Sequence, residues 1–211
     1  MANTNKKNKL MGLIADVTVC TATIPPREHL LKRAYESVQN QTLKVKQHLI
    51  ECDDKKEGHA VILDRLINTA KTKYIAILDD DDELLPNHIE LLYQKITQTK
   101  ADLVYPHFRY SASHDGGHLE KYRGKPWDNN HPHQVPITWI AKRKTLLEVG
   151  GFGEGFHINS YKVDNEGNRM GHDFHLIKKL AAANKYITNI PDVTWIYHVG
   201  HPSTLGMPDR W

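Results

Sequence analysis

Short apolar runs alternate with amphipathic stretches along the first half of this chain, and that alternation limits its fold more than any other feature. DVTVCTA (16–22), QHLIE (47–51), KYIAIL (73–78) and ADLVYPHF (101–108) read as strands. Between them, residues 27–41, 59–71 and 86–97 carry apolar side chains at helical spacing. In the first of these, Leu30, Leu31, Ala34, Tyr35 and Val38 form one stripe, with Lys32, Arg33 and Glu36 outside it. In the third, opened by Pro86, Ile89, Leu92 and Ile96 point inward. Strand–helix alternation of this kind predicts right-handed βαβ units around a mostly parallel central sheet flanked by helices, an α/β fold. Strands buried on both faces explain why 17–20 and 74–78 run apolar instead of alternating.

The pattern changes after residue 110. Residues 111–135 are polar and punctuated by Gly and Pro, which predicts an irregular lobe. PITWIAK (136–142) returns to strand character, 143–149 reads as a short helix closed by Gly150, and 153–170 reads as a second loop. Residues 171–184 place Phe174, Ile177, Leu180 and Ala181 on one helical face, and VTWIYH (193–198) reads as the last strand.

Composition excludes several classes. The net charge of +3 comes from Lys6, Lys7 and Lys9, because residues 13–211 hold 25 basic and 25 acidic side chains. A basic groove for nucleic acid is therefore not indicated, and residues 1–12 read as a disordered basic tail. Two cysteines are too few for a disulfide scaffold or a four-cysteine zinc site. Cys20 and Cys52 are expected as reduced thiols close to buried strands. No apolar run reaches the roughly 18 residues of a membrane span and no secretory core follows the start, so a cytoplasmic location is expected. Fourteen histidines are unusual, and ten of them lie between His107 and His201.

The strongest local feature is LDDDDELLPNHIE (78–90), with five acids, Asp79 to Glu83, directly after a buried strand. Open α/β sheets bind ligands at the carboxyl ends of their strands. Adjacent carboxylates repel, and hard divalent cations such as Mg2+ or Mn2+ relieve that repulsion with oxygen ligands. The alternative is an acidic turn before the helix that Pro86 opens, where the helix dipole favours negative charge.

Several segments, in order, resemble family 2 glycosyltransferases. They are VCTATIPPREHLLKRAYESVQNQTL, HLIECDD, YIAILDDDDELLPNHIE, LLEVGGF and GHDFHLIKKLAAANKYITNIP, and they cover nearly everything outside the tail. The form is similar to short stand-alone members, including bacteriophage-encoded ones. The resemblance implies a GT-A type nucleotide-diphospho-sugar transferase fold with an acceptor-side lobe. Residues 13–110 would form the nucleotide-sugar-binding half and 111–211 the acceptor-binding half of the same domain.

The resemblance also implies roles. Thr23, Arg27, Asp53 or Asp54, Arg65, Asp79 and Asp80 would serve the donor. Asp81 and His201 would hold Mn2+ or Mg2+, with Asp79, Asp82 and His198 as alternatives. Asp173 would be the general base, and His172 and Trp139 would lie on the acceptor side, Trp139 equally as core or pocket wall. Three departures stand out. Ile62-Leu63-Asp64-Arg65-Leu66 replaces the family's Arg-containing segment, His172 replaces the usual Glu before Asp173, and no carboxyl-terminal extension adds an anchor or acceptor domain.

The expected activity is metal-dependent transfer of a sugar from a nucleotide-diphosphate sugar, a UDP-sugar first, to a hydroxyl acceptor with inversion. The acceptor class (glycan, small molecule or modified base) and the oligomeric state stay open. Two alternatives are the same fold acting on hydroxymethylated bases of DNA, and a non-catalytic nucleotide-sugar or metal-binding module. Weaker signals remain beside these. GGFGEG (150–155) follows a helix and so does not open a dinucleotide site. His131 with His133, or His172 with His175, lack cysteine partners for zinc. Trp127 and Trp195 are further candidates for stacking a sugar or base.

Overall fold

The first strand, β1 (Ile14–Thr23), lies inside the sheet, with β2 (Lys44–Cys52) and β3 (Tyr74–Ile77) parallel on its two sides. This computed structural model describes residues 13–112, 125–153, 162–163 and 169–199. Along β1 and β3 the side chains divide by parity. Val17, Val19, Tyr74 and Ala76 pack into one core layer, and Cys20, Ala22, Ile75 and Ile77 into the other. Period-two alternation with both faces covered accounts for the unbroken apolar runs.

Helices α1 (Glu28–Gln39) and α3 (His88–Thr99) cover the first layer with Ala34, Val38, Ile89, Leu92 and Ile96. Helices α2 (His59–Thr69), α4 (Arg143–Glu148) and α5 (His172–Ala182) cover the second with Leu63, Ile67, Leu146, Ile177 and Leu180. A 3-10 turn over Pro25–Arg27 leads into α1, consistent with the two prolines that stop β1.

The seven-stranded sheet has the order β2-β1-β3-β6-β5-β9-β4. Strand β6 (Ile140–Lys142) inserts antiparallel between β3 and β5 (Leu103–Tyr110). Strand β9 (Ile187–Tyr197) runs parallel to β5, and the two-residue β4 (Glu83–Leu84) runs antiparallel to β9. The strand over Leu103–Tyr110, expected as the fourth, is therefore not next to β3 in space. Ile140 and Ala141, fully buried, fill the gap in its place. Strand β4 lies inside the acidic segment, where no apolar run signals it, and β9 starts six residues before the expected Val193. In the loop expected over 153–170, β7 (Lys162–Val163) and β8 (Arg169–Met170) form a small antiparallel pair. Cys20 is a buried thiol as expected, whereas Cys52, at the end of edge strand β2, is exposed. Among the described residues no helix is long and apolar enough to cross a membrane. The tail over 1–12 lies outside the described residues.

Candidate active site

Four aspartates follow the end of β3, and a single turn sorts them. The Asp82 N–H donates to the Asp79 carbonyl at 3.2 Å. Carboxylate oxygens of Asp79, Asp81 and Asp82 then lie within 4.8 Å of one another. Asp80 faces the other way, into the loop after β1. Its carboxylate accepts the Thr23 hydroxyl at 2.7 Å and Arg27 at 2.9 Å. Asp80 is buried, so it holds the β1 loop in place and presents no donor-facing surface. Arg27 also bridges to Asp81 at 2.7 Å, and Arg33 donates to the Asp81 carbonyl at 2.5 Å. Burial opposes the Arg27 charge, but Asp81 and Asp80 outweigh it and hold the guanidinium above its ordinary value.

Asp82 is the least satisfied of the three carboxylates. One oxygen accepts the His198 N–H at 2.9 Å, and the other is buried without a hydrogen-bond partner among the described residues. Burial, then the charges of Asp81 and Asp79, push its carboxyl well above the usual carboxylate range. A buried, partnerless carboxylate oxygen facing two further carboxylates is a donor set that suits a hard divalent ion. The His198 ring is turned to Glu83 at 3.2 Å and lies outside the three-carboxylate group. His201 lies outside the described residues.

Asp53 and Asp54 end β2. Asp53 is buried and accepts the N–H groups of Glu57 and Gly58 at 2.8 and 2.7 Å, closing the loop before α2. Asp54 beside it is exposed. Arg65, on the exposed face of α2, pairs with Glu51 and, at 2.7 Å, with Glu57. Of the two acids, Asp54 is the exposed one, and Arg65 is held in a surface ion-pair cluster.

A second wall beside these acids, reached through His59, is the start of α5. Gly171 precedes it, and a Cβ there would sit 2.7 Å from an oxygen of Asp173. Asp173 accepts the Phe174 N–H at 2.7 Å and the Gln134 amide at 3.3 Å. His172 meets His59, the first residue of α2, with His59 Nδ1 and His172 Nε2 2.9 Å apart. His59 Nε2 in turn lies 3.3 Å from Asp79 Oδ1. Burial opposes the His59 charge, but the Asp79 carboxylate outweighs it and raises His59 above the ordinary histidine value. Burial, reinforced by His59, lowers His172 to about 4.

Trp139 is not at this surface. It is fully buried and stacks on Phe152 at 6.4 Å, and Phe152 meets the His172 ring edge-on at 5.5 Å. Its place is behind the wall, because the chain from Ile137 to Ala141 crosses the core to form β6. Trp195 is likewise core, and Trp127 packs on His133. His131 pairs with Asp128, and His133 lies against Tyr105, so these two histidines do not form a zinc pair. The GGF segment is pinned from two sides. Asp64 accepts the Phe152 and Gly153 N–H groups at 2.8 and 3.0 Å, and Lys179 of α5 donates to the carbonyls of Gly150 and Gly151. Sequence inspection passed over His59, Gln134 and Arg33. The signal for His59 was its place: a polar residue straight after Gly58, at a helix start beside the strand ends.

The fold and the acids at its strand ends define a GT-A type fold of the nucleotide-diphospho-sugar transferase class. A family model for glycosyl transferase family 2 matches residues 47–153, half of the chain, and the chain belongs to that family. Among solved structures, S. aureus TarS superposes with a TM-score of 0.65 at 11% identity, covering 87% of this chain and 36% of TarS. TarS 1–349 in complex with UDP-GlcNAc gives a TM-score of 0.62 at 11% identity, covering 90% of this chain and 60% of that one. The complex with UDP gives 0.59 at 12% identity, covering 87% and 60%. This chain thus spans less than two thirds of those proteins. Among curated proteins no sequence matches it.

Proposed function

We propose that this protein is a glycosyltransferase that moves a sugar from a UDP-sugar to a hydroxyl acceptor with inversion. The observation that carries this is the convergence of Asp79, Asp81 and Asp82 at the end of β3 in a family 2 chain. The S. aureus TarS structures with UDP-GlcNAc and UDP support the choice of donor. Residues 13–110 would bind the donor and 111–211 the acceptor, in the cytoplasm.

Thr23, Arg27 and Asp54 would lie along the nucleotide, with Thr23 and Arg27 kept in place by Asp80. Asp79, Asp81 and Asp82 would hold Mg2+ or Mn2+, which supplies positive charge to the departing diphosphate. Arg27, already beside Asp81, places a second positive charge on that side. Asp173 would take the acceptor hydroxyl's proton as its oxygen attacks the anomeric carbon, and attack opposite the leaving diphosphate inverts that centre. Gln134, donating to one Asp173 oxygen, orients the carboxylate. The polar lobe around 125–135 would help exclude water from the reacting groups.

With UDP-GlcNAc and Mn2+, the protein is expected to release UDP, slowly without acceptor. Asp81→Ala should lower that rate about 100-fold or more, the scale of losing one group that stabilises transition-state charge. Full turnover by Asp81→Ala would refute the metal assignment. A failure of every UDP-sugar tried to bind, read as thermal shift with and without Mn2+, would refute the donor assignment. Binding without UDP release would make the chain a binding module. Transfer to hydroxymethylated DNA in place of glycans would identify a modified base as acceptor.

A further inference from the structure

We propose that His59 is a positioning residue that ties the donor-side acid Asp79 to the start of α5 through its hydrogen bond with His172. The link joins three separate elements: the end of β3, the first residue of α2 and the first residue of α5. His59 Nε2 lies 3.3 Å from Asp79 Oδ1, and His59 Nδ1 lies 2.9 Å from His172 Nε2, with the rings edge-on at 4.9 Å. An imidazole carries two polar nitrogens on different edges of one rigid ring, so one side chain serves both neighbours at once. His59 faces the Asp79 carboxylate with Nε2 as an ion-pair contact, and shares one proton with His172 between Nδ1 and Nε2, so that one of these two facing nitrogens donates and the other accepts.

The place of the link matters because the first turn of a helix has N–H groups with no partner inside the helix. Gly171, the residue before α5, offers no side-chain cap. The His172 ring is instead held by His59 on one edge and by Phe152 on another. Asp173 is the next residue, so a fixed His172 fixes the backbone that aims the Asp173 carboxylate. What the two ends do rests on the transferase reading above; the link itself rests on the geometry. A ligand that engages Asp79 is then felt at the start of α5.

The test is histidine side-chain NMR on the full chain. Without nucleotide, long-range 1H–15N spectra should show one of the two facing nitrogens protonated and the other bare, with coupling across the hydrogen bond. Independent, solvent-averaged rings would overturn the proposal, whatever the protein binds. On titration with UDP and Mg2+, the His172 ring signals should move in the wild type. In His59→Ala that movement should vanish while UDP and Mg2+ still bind, within about 10–100-fold of wild-type affinity. His59→Asn, whose amide falls near Nδ1, should restore the ordered His172 ring without restoring its response. An equal response in His59→Ala would overturn the proposal. No UDP binding by the wild type would overturn the donor reading, and the nucleotide-free spectrum would still decide the link.

Discussion

Replacing Asp82 by Asn separates the cost of the carboxylate cluster from its use. The oxygens of Asp79, Asp81 and Asp82 lie within 4.8 Å of one another, where two carboxylates repel by about 3 kcal/mol or more at an effective dielectric near 20. Arg27 beside Asp81 and His59 beside Asp79 offset part of this, leaving roughly 1–2 kcal/mol to be regained by removing the third charge. Asn keeps the oxygen that accepts the His198 N–H and puts an amide where the partnerless oxygen sat. Without divalent ions, Asp82→Asn should therefore raise the melting temperature, by about 2–8 °C for a chain of this size. The pH dependence has a definite sign. The folded Asp82 carboxyl is held above its unfolded value, so its stabilisation is complete below about pH 4 and is lost as the pH rises through the folded value. The gain from Asn should accordingly be larger at pH 8 than at pH 5. With Mg2+ or Mn2+ the order should reverse, because the wild type gains by binding and the variant loses a ligand. Differential scanning fluorimetry at two pH values, with EDTA or divalent ion, measures all four arms. A lower melting temperature of the variant in EDTA, or a cation shift equal to wild type, would refute the reasoning.

Two further outcomes concern the scaffold. Gly151→Ala should cost about 3–5 kcal/mol and Gly150→Ala only about 1–2 kcal/mol in urea unfolding. Both have positive φ, but a Cβ at 151 would lie 2.1 Å from Asp64, which holds two backbone N–H groups, while nothing lies near one at 150. Equal costs would show that Asp64 does not pin the segment. His88 is fully buried against Thr194, and burial lowers it to about 3. Its folded value is depressed, so this stability is complete above about pH 6.5 and is lost as the pH falls toward 3. Between pH 7 and pH 5 the wild type should lose about 2 kcal/mol from this group, and His88→Asn should lose that much less. An unchanged difference between the two pH values in the variant would sink the assignment.

Periodicity made the layered α/β arrangement and the three helices of the first half legible, because burial on two faces of a sheet and one face of a helix leaves a repeat in the chain. The acidic run was legible for the same local reason: five acids after an apolar strand cannot be core. The roles within it were not. Asp79, Asp81 and Asp82 converge while Asp80 turns to Thr23 and Arg27, and a single turn hydrogen bond decides which goes where. Asp53 likewise looked equivalent to Asp54 until the loop before α2 took both of its oxygens. Trp139 had strand surroundings in the sequence, but only the insertion of β6 between β3 and β5 showed that it faces the core. His59 and His172 stand 113 residues apart and meet at 2.9 Å. The chain by itself determined most of its elements, its family and the strand end that carries the acids, since those depend on neighbours in sequence. Which atoms share a site depends on strand order and on how helices from distant segments dock, and long-range packing alone decided that.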